Sequence, residues 1–263
     1  MKKEVKRKAP PKKRKVRKSF IFIMLMFIVS ILVILCTTVL FPINNVKIEY
    51  SGKKYTENDI RAVADVNVGE NMIMLSKTGL EKRITTKLAY IGSVDLEKKF
   101  PDTVIITPKE TKADICIKDG KEYYILDKNY KLLGTVKKAN KKLTCISGLK
   151  LNKYKIGKTA SFKSDEVFQH TETIQKALAK TKLKINYIDL KNNSDVTVYL
   201  DKRFKIRLGT FNDLKEKLDF TVKMLEGINK KNAKDEGTLN LTYFSEKKEG
   251  YFAREEVKIE YFK

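Results

Sequence analysis

Histidine, cysteine and carboxylate side chains are the groups in this sequence that most often carry out chemistry. His170 is the only histidine, so a Ser-His-Asp or Cys-His catalytic arrangement would have to include it. It lies between Gln169 and Thr171 in a helical pattern, and this setting favours an ordinary surface histidine. The sequence also lacks a GxGxxG motif, a P-loop and an HExxH motif. We therefore predict no catalytic residue and no enzymatic activity.

A glycosidase-like pair of carboxylates stays open, because the chain contains 32 Asp and Glu residues. Two observations weigh against such a pair. The chain has no tryptophan to stack on a sugar, and most of its acids lie beside lysines, as is typical of a solvated surface. A membrane-anchored cell-wall enzyme is therefore only an alternative.

Cys116 and Cys145 lie in the apolar contexts "DICIKD" and "LTCISG". This context favours two buried free thiols, while a disulfide between them stays open. Two cysteines are too few for a disulfide scaffold or a cysteine-based zinc site. We therefore predict no metal and no cofactor.

The N-terminal residues are strongly basic. Residues Lys2–Lys18 hold eleven Lys or Arg residues and one acid, Glu4, so they supply +10 of the net charge of +24. They include "PKKRKV", which is close to a nuclear-import signal, but no aromatic residue precedes Phe20. Nucleic-acid binding usually needs interleaved aromatic residues, so we predict no nucleic-acid partner. The remaining charge is spread among acids and would allow weak contact with anionic cell-wall polymers.

An uncharged segment follows the basic run directly. Phe20–Phe41 has 22 residues and is apolar except for Ser30, Thr37 and Thr38. As a helix it would be about 33 Å long, enough to cross a hydrocarbon core of about 30 Å. Basic residues beside such a helix hold that end in the cytoplasm. The predicted membrane-flanking basic residues are Lys12, Lys13, Arg14, Lys15, Arg17 and Lys18.

Two alternatives, in which the apolar segment is a signal that is cleaved off, fit the sequence less well. A signal peptide would have a shorter apolar region and a small-residue cleavage site, which "CTTVLFP" lacks. A lipoprotein signal at Cys36 would have a small residue before it, and Leu35 is bulky. We predict a cytoplasmic tail at 1–19 and one transmembrane helix at 20–41. The protein would then be a single-pass type II membrane protein with its C-terminal region outside.

The region directly after the apolar segment predicts a β-α-α-β-β module. "NNVKIEYSG" alternates as a strand does and ends in a turn. Thr56 is a candidate N-cap for the helix that follows, and residues 76–91 have the apolar spacing of an amphipathic helix. "SVDLEKKFPDTVIITPKE" then reads as two strands joined by a turn.

The rest of the chain predicts a larger mixed unit of strands and helices. "DICIKDGKEYYILDKNYKLLGTV" indicates three strands joined by turns, and Ser164 is a candidate N-cap for a helix. Three further strands are predicted at 183–190, 195–200 and 203–208, followed by an amphipathic helix and the strand "GTLNLTYF". Beyond Ser245 the chain is charged, although "VKIEYF" at its end could form a strand. The predicted fold class is therefore α+β.

The ordered motifs resemble one known protein family. "NNVKIEYSGKKYTENDI", "NMIMLSKTGLEKRI" and "YYILDKNYKLLG" resemble successive family motifs, with Tyr130 at a usual glycine. "SVDLEKKFPDTVIITPKETKADICI" resembles the most recognisable of them, with Lys112 in place of a usual proline. In content and order the chain resembles the FtsQ/DivIB family of bacterial cell-division proteins. The residues that hold the most recognisable motif are Phe100, Pro101, Thr103, Val104, Ile106, Glu110 and Ala113.

The resemblance implies a domain organisation and a role. Residues 43–111 would be a POTRA domain, 112–245 a β domain and 246–263 a short C-terminal tail. The role would be a scaffold at the division septum that helps regulate septal peptidoglycan synthesis. Its partners would be FtsL-type and FtsB/DivIC-type bitopic coiled-coil proteins, bound by addition of a strand to the last sheet. The partner-binding residues implied in this way are Leu239, Leu241, Tyr243 and Ser245.

A POTRA-type chaperone or secretion component that captures extended chains is a further alternative, because it uses the same strand addition. The sequence leaves open which partner binds which face, the oligomeric state and the rigidity between the two domains.

Overall fold

The computed structural model describes residues 18–38 and 40–262, with side chains for 19–35 and 40–262. The predicted membrane-flanking residues Lys12, Lys13, Arg14, Lys15 and Arg17 lie outside the described residues, as does the side chain of Lys18. The helices are α1 Lys18–Thr38, α2 Glu57–Ala64, α3 Lys77–Lys87, α4 Asp165–Leu178, α5 Leu214–Lys231 and α6 Phe244–Lys247.

The strands fall into three sheets, and their spans are β1 Asn45–Ile48, β2 Ile91–Lys99, β3 Thr103–Glu110, β4 Ala113–Asp119, β5 Glu122–Asp127, β6 Leu132–Val136, β7 Thr144–Ser147, β8 Leu151–Lys153, β9 Ser161–Phe162, β10 Ile185–Asp189, β11 Val196–Leu200, β12 Phe204–Gly209, β13 Gly237–Asn240 and β14 Tyr251–Ala253. The mixture of helices and sheets confirms the predicted α+β class.

Helix α1 covers most of the apolar segment, and its large side chains from Phe20 to Leu35 are exposed. Within the described residues, no helix combines the length and apolarity needed to cross a membrane. The transmembrane helix at 20–41 therefore stays a prediction.

The order β1-α2-α3-β2-β3 is the predicted β-α-α-β-β order, and the three strands form a sheet in the order β1-β3-β2. Local signals position its helices. Thr56 caps α2: its side chain accepts from the Asp59 N–H, and the Asp59 carboxylate accepts from the Thr56 N–H. Ile60 and Ala64 are the buried residues of this helix. The predicted second helix ends earlier than expected, at Lys87.

The chain divides into two compact units. The first has a core of Ile43, Met72 and Val104. Its described residues are 18–38, 40–47, 66–76 and 96–106. The second holds the larger core and comprises residues 48–65, 77–95 and 107–262. The domain limits predicted at 43–111 and 112–245 remain predictions.

A nine-stranded sheet dominates the second unit, in the order β14-β13-β12-β11-β10-β7-β4-β5-β6. One face packs against α4 and α5 through a large apolar cluster. Ser164 caps α4 as predicted, because its side chain accepts from the Val167 N–H. Strand β7 was not singled out from the sequence, yet it lies between β4 and β10 and pairs parallel with both.

The opposite face of the sheet is covered by the end of the chain. Phe262 is buried in a cluster with Cys116, Cys145 and Tyr187. Its N–H donates to the Tyr187 hydroxyl at 3.1 Å, and Lys118 Nζ donates to its carbonyl at 3.3 Å. We call residues 254–262 the C-terminal strap. The strand that the sequence allowed at 257–262 does not form, and these residues instead bring Phe262 to the sheet face.

Candidate partner-binding edge of the sheet

The sheet ends in two strands that come from the last 30 residues of the chain. After β12, helix α5 crosses over and returns the chain as β13, which pairs parallel with β12. The ladder continues one residue further, because the Leu241 N–H donates to the Arg207 carbonyl at 2.8 Å. Strand β14 then pairs antiparallel with β13, with Leu239 opposite Phe252 and Asn240 opposite Tyr251. Strand β14 is therefore the outermost strand, where the sequence placed β13.

Leu239 and Leu241 are fully buried in the core that faces the helices. The backbone of Leu239 lies between β12 and β14, so the proposed open edge at this residue is occupied by the chain itself. The sequence missed β14 because "YFAREE" is short and charged, and only its Tyr-Phe pair indicated a strand.

Two glycines lie in close contact with other parts of the chain where β13 pairs with β14. An atom at the Cβ position of Gly237 would collide with the Ala253 carbonyl oxygen and lie 2.9 Å from the Phe252 ring. At Gly250 it would lie 2.5 Å from the Leu241 side chain. Glycine is thus required at Gly237, where the neighbour is backbone, while at Gly250 the neighbours are side chains.

Helix α5 is fixed to the sheet by a buried lysine. Lys217 is fully buried, and its Nζ donates to the Leu208 and Thr210 carbonyls at 2.8 Å each. These bonds satisfy carbonyls at the end of β12. Burial lowers the pKa of Lys217 below its usual value, partly offset by the nearby Asp213 carboxylate.

Tyr243 is the residue directly before α6, and Ser245 lies within α6. Tyr243 is 62% exposed, whereas Ser245 is half-buried. Helix α6 is pinned to the start of α5 by Lys248, whose Nζ lies 2.7 Å from Glu216 Oε2 and 3.1 Å from Asp213 Oδ2. These two hydrogen bonds raise the pKa of Lys248, and the bond from Lys248 lowers the pKa of Asp213.

Tyr251, on the outermost strand, is a second exposed aromatic side chain at this end of the sheet, with 59% of its surface exposed. After it the chain is held by Arg254, whose guanidinium lies 3.0 Å from the Asp235 carboxylate. The candidate partner-binding edge therefore consists of Tyr251 and the outer backbone of β14, and Tyr243 is an exposed residue of the chain between β13 and β14.

His170, the only histidine of the sequence, lies in α4. Its ring is half-buried and stacks on Phe211 with centroids 4.2 Å apart, so it is less exposed than the sequence suggested. Its Nδ1 has no hydrogen-bond partner among the described residues. Across residues 18–38 and 40–262, no three His, Cys, Asp or Glu residues are grouped as metal ligands would be.

Cys116 and Cys145 are buried, free thiols, as the sequence predicted. They lie directly opposite each other on the paired strands β4 and β7. The hydrogen bond shared with Cys116, together with burial, raises the pKa of the Cys145 thiol above its usual value.

Comparison with known proteins supports the motif-based interpretation of the chain. Residues 41–110 match the family described as "POTRA domain, FtsQ-type". The chain is 27% identical over 237 residues to "Cell division protein DivIB" of Clostridium botulinum (strain Loch Maree / Type A3), covering 88% of this chain and 91% of the relative. It is 28% identical over 200 residues to the Clostridium acetobutylicum protein of the same name, covering 75% and 79%. It is also 29% identical over 86 residues to "Cell division protein FtsQ" of Streptomyces griseus, covering 33% and 41%.

The match and the β-α-α-β-β order together define the class of this region: residues 41–110 are a POTRA domain of FtsQ type. The similarity to DivIB over most of the chain extends this beyond the POTRA region. The resemblance to the FtsQ/DivIB family of bacterial cell-division proteins, predicted from the motifs, is thereby confirmed.

Proposed function

We propose that this protein is a non-enzymatic, bitopic membrane scaffold of the cell-division machinery. It is held in the cell membrane by Phe20–Phe41, with the N-terminus in the cytoplasm and the rest of the chain outside, at the division septum. It binds FtsL-type and FtsB/DivIC-type coiled-coil partners and thereby helps stabilise and regulate septal peptidoglycan synthesis. The names of the relatives, all cell-division proteins, support the division role.

The observation that carries the binding mode is the end of the nine-stranded sheet. Strand β14 is outermost, and no strand among the described residues pairs with its other edge. Such an edge presents unpaired backbone groups to a partner strand. Backbone hydrogen bonds would supply affinity, and side-chain contacts would supply selectivity.

The proposed roles of the predicted binding residues differ. Tyr243 contacts the partner directly, because it is exposed in the chain that joins β13 to β14, and Tyr251 on β14 joins it. Aromatic side chains supply much of the binding energy at protein interfaces. Leu239 and Leu241 support the edge from the core, since their side chains are buried. Ser245 is half-buried and contributes mainly through the position of α6.

The proposal is tested by capture of partners from detergent-solubilised host membranes with tagged full-length protein. Tyr243→Lys should reduce capture of two small single-pass coiled-coil proteins, because it places a charge in an aromatic contact and leaves the core intact. Tyr154→Lys is the matched control, since Tyr154 is another exposed tyrosine, on a loop beside Tyr124. Equal capture by the wild type and both variants would contradict a role for Tyr243.

A chain that ends at Lys248 separates two ways of using the edge. If the partner adds to β14, loss of residues 249–263 abolishes capture. If the shortened chain captures more partner than the full chain, the partner takes the place of β14 on β13, and the proposed docking on β14 is wrong. If neither the full nor the shortened chain captures such proteins, the scaffold proposal itself fails.

A further inference from the structure

The first compact unit exposes a group of large apolar side chains that neither its core nor the proposed partner edge uses. Val68 is 71% exposed and Met74 is 70% exposed, and Ile73 and Phe100 are exposed as well. All four belong to the segments 66–76 and 96–106 of this unit. We call Val68, Ile73, Met74 and Phe100 the apolar tip.

The loop that carries most of the apolar tip is bonded to the chain immediately after α1. The Met72 N–H donates to the Phe41 carbonyl at 3.0 Å, and the Asn71 side-chain amide donates to the Leu40 carbonyl at 2.6 Å. The Ile43 N–H donates to the Glu70 carbonyl at 2.8 Å. These contacts fix residues 69–72 beside residues 40–43.

The turn between β2 and β3, which carries Phe100, is fixed to the same place. The Phe100 ring packs edge-on against Phe41, with ring centroids 5.0 Å apart. Lys98 Nζ donates to the Ile73 carbonyl at 3.2 Å, which ties the second segment to the loop. The loop and the turn that carry the apolar tip are thus both held beside the residues that follow the apolar segment.

This position sets the depth of the apolar tip once α1 is placed in a bilayer. Leu40 is two residues beyond Thr38, the last residue of α1, so their Cα atoms are at most about 7 Å apart. The polar interface on each side of a bilayer is about 5–8 Å thick. Residues bonded to Leu40 and Phe41 therefore lie at or near that interface. Exposed apolar side chains there are stabilised by insertion among the headgroups and upper acyl chains.

We propose that the apolar tip is a lipid contact, in which Val68, Ile73, Met74 and Phe100 insert into the outer interface of the membrane and hold the first unit against the bilayer. The inference rests on the proposed membrane anchor. The apolar tip would contact the lipid interface itself. It would not require anionic headgroups, because the positive charges of the nearby Lys98 and Lys99 are balanced by acids in the same segments.

The absence of tryptophan from the sequence provides a direct test. Full-length protein is reconstituted into phosphatidylcholine vesicles, and one tryptophan is introduced at a time as a fluorescent reporter. Met74→Trp and Val68→Trp report on the apolar tip. Phe27→Trp reports on the anchor. Ile156→Trp is the matched control, because Ile156 is an exposed apolar residue of the second unit. Emission is compared in vesicles whose lipids are brominated near the headgroup or near the bilayer centre.

The lipid contact predicts that Met74→Trp and Val68→Trp lose more emission with bromines near the headgroup than with bromines near the bilayer centre, while Ile156→Trp is unaffected. Phe27→Trp should show the reverse depth preference. If Phe27→Trp is quenched and both tip reporters behave as Ile156→Trp does, the lipid contact is wrong and the anchor stands. Blue-shifted but unquenched tip emission would show coverage by protein and would also overturn it. If Phe27→Trp is not quenched either, the proposed anchor fails and the lipid contact fails with it.

Discussion

A single methyl group added at Gly237 should separate β14 from β13. Its Cβ would collide with the Ala253 carbonyl oxygen, which is backbone and cannot rotate away, and would approach the Phe252 ring at 2.9 Å. Overpacking of this kind lowers the free energy of unfolding by about 1–3 kcal/mol. Because β14 contributes only three paired residues, we expect the structure to respond by releasing β14 rather than by distorting the core.

Gly227→Ala is the matched control for Gly237→Ala. Gly227 lies exposed within α5, and no atom lies within 4 Å of the added Cβ position. Alanine there should stabilise the protein by about 0.5–1 kcal/mol, because glycine is a poor helix former. The two variants thus add the same methyl group with opposite expected signs.

The assays are denaturant unfolding and amide hydrogen exchange of the full-length protein in detergent. Gly237→Ala should have a lower unfolding midpoint than the wild type and faster exchange in residues 251–253. Gly227→Ala should have a higher midpoint and unchanged exchange there. If Gly237→Ala is as stable as the wild type and β14 remains protected, the close pairing of β13 and β14 described above is refuted.

Two further predictions concern the strap and a surface ion cluster. Phe262→Ala should lower the free energy of unfolding by about 3 kcal/mol or less, since a terminal site relaxes more than an interior one. It should also speed amide exchange across the strap while leaving β13 protected. Unchanged exchange would contradict burial of Phe262 against Tyr187. Hydrogen bonds from Lys109 and then Lys77 lower the pKa of Asp95 from its ordinary value of 3.8 to about 2. The ionised carboxylate therefore stabilises the fold at pH values above 3.8, and this contribution is lost as the pH falls towards about 2. Asp95→Asn should therefore lower the unfolding midpoint at neutral pH, with a difference that shrinks through this window, and a constant difference would contradict the assignment.

Local signals allowed a large part of the fold to be predicted from the sequence. Thr56 and Ser164 were recognised as helix caps because a cap depends on the next three residues. The strands β4, β5 and β6 were recognised from short turns such as the one at Gly120. Such features need no information about distant parts of the chain.

The missed features depend on contacts between distant residues. Strand β7 has only four residues, and it gains its place through parallel pairing with β4 and β10, from opposite sides. Strand β14 is similarly short, and its partner β13 was expected to have a free edge. Short strands stabilised by tertiary pairing carry little intrinsic signal, so strand order could not be derived from composition.

The candidate partner site stays a prediction, and the structure changes which of its residues are exposed. Tyr243 is exposed at the expected end of the sheet, while Leu239 and Leu241 belong to the core. Alternation along β13 allowed both interpretations. Only the presence of β14 moved the edge outward and brought Tyr251 into the candidate site.

Site-specific photocrosslinking in dividing host cells tests the proposed edge most directly. A photoreactive amino acid is placed at Tyr251 or, as the control, at Tyr154, in the full-length chain. Addition of a partner strand to β14 predicts a crosslink from position 251 to a small bitopic coiled-coil division protein and none from position 154. Equal crosslinking from both positions, or none to such a protein from position 251, would contradict partner binding at this edge.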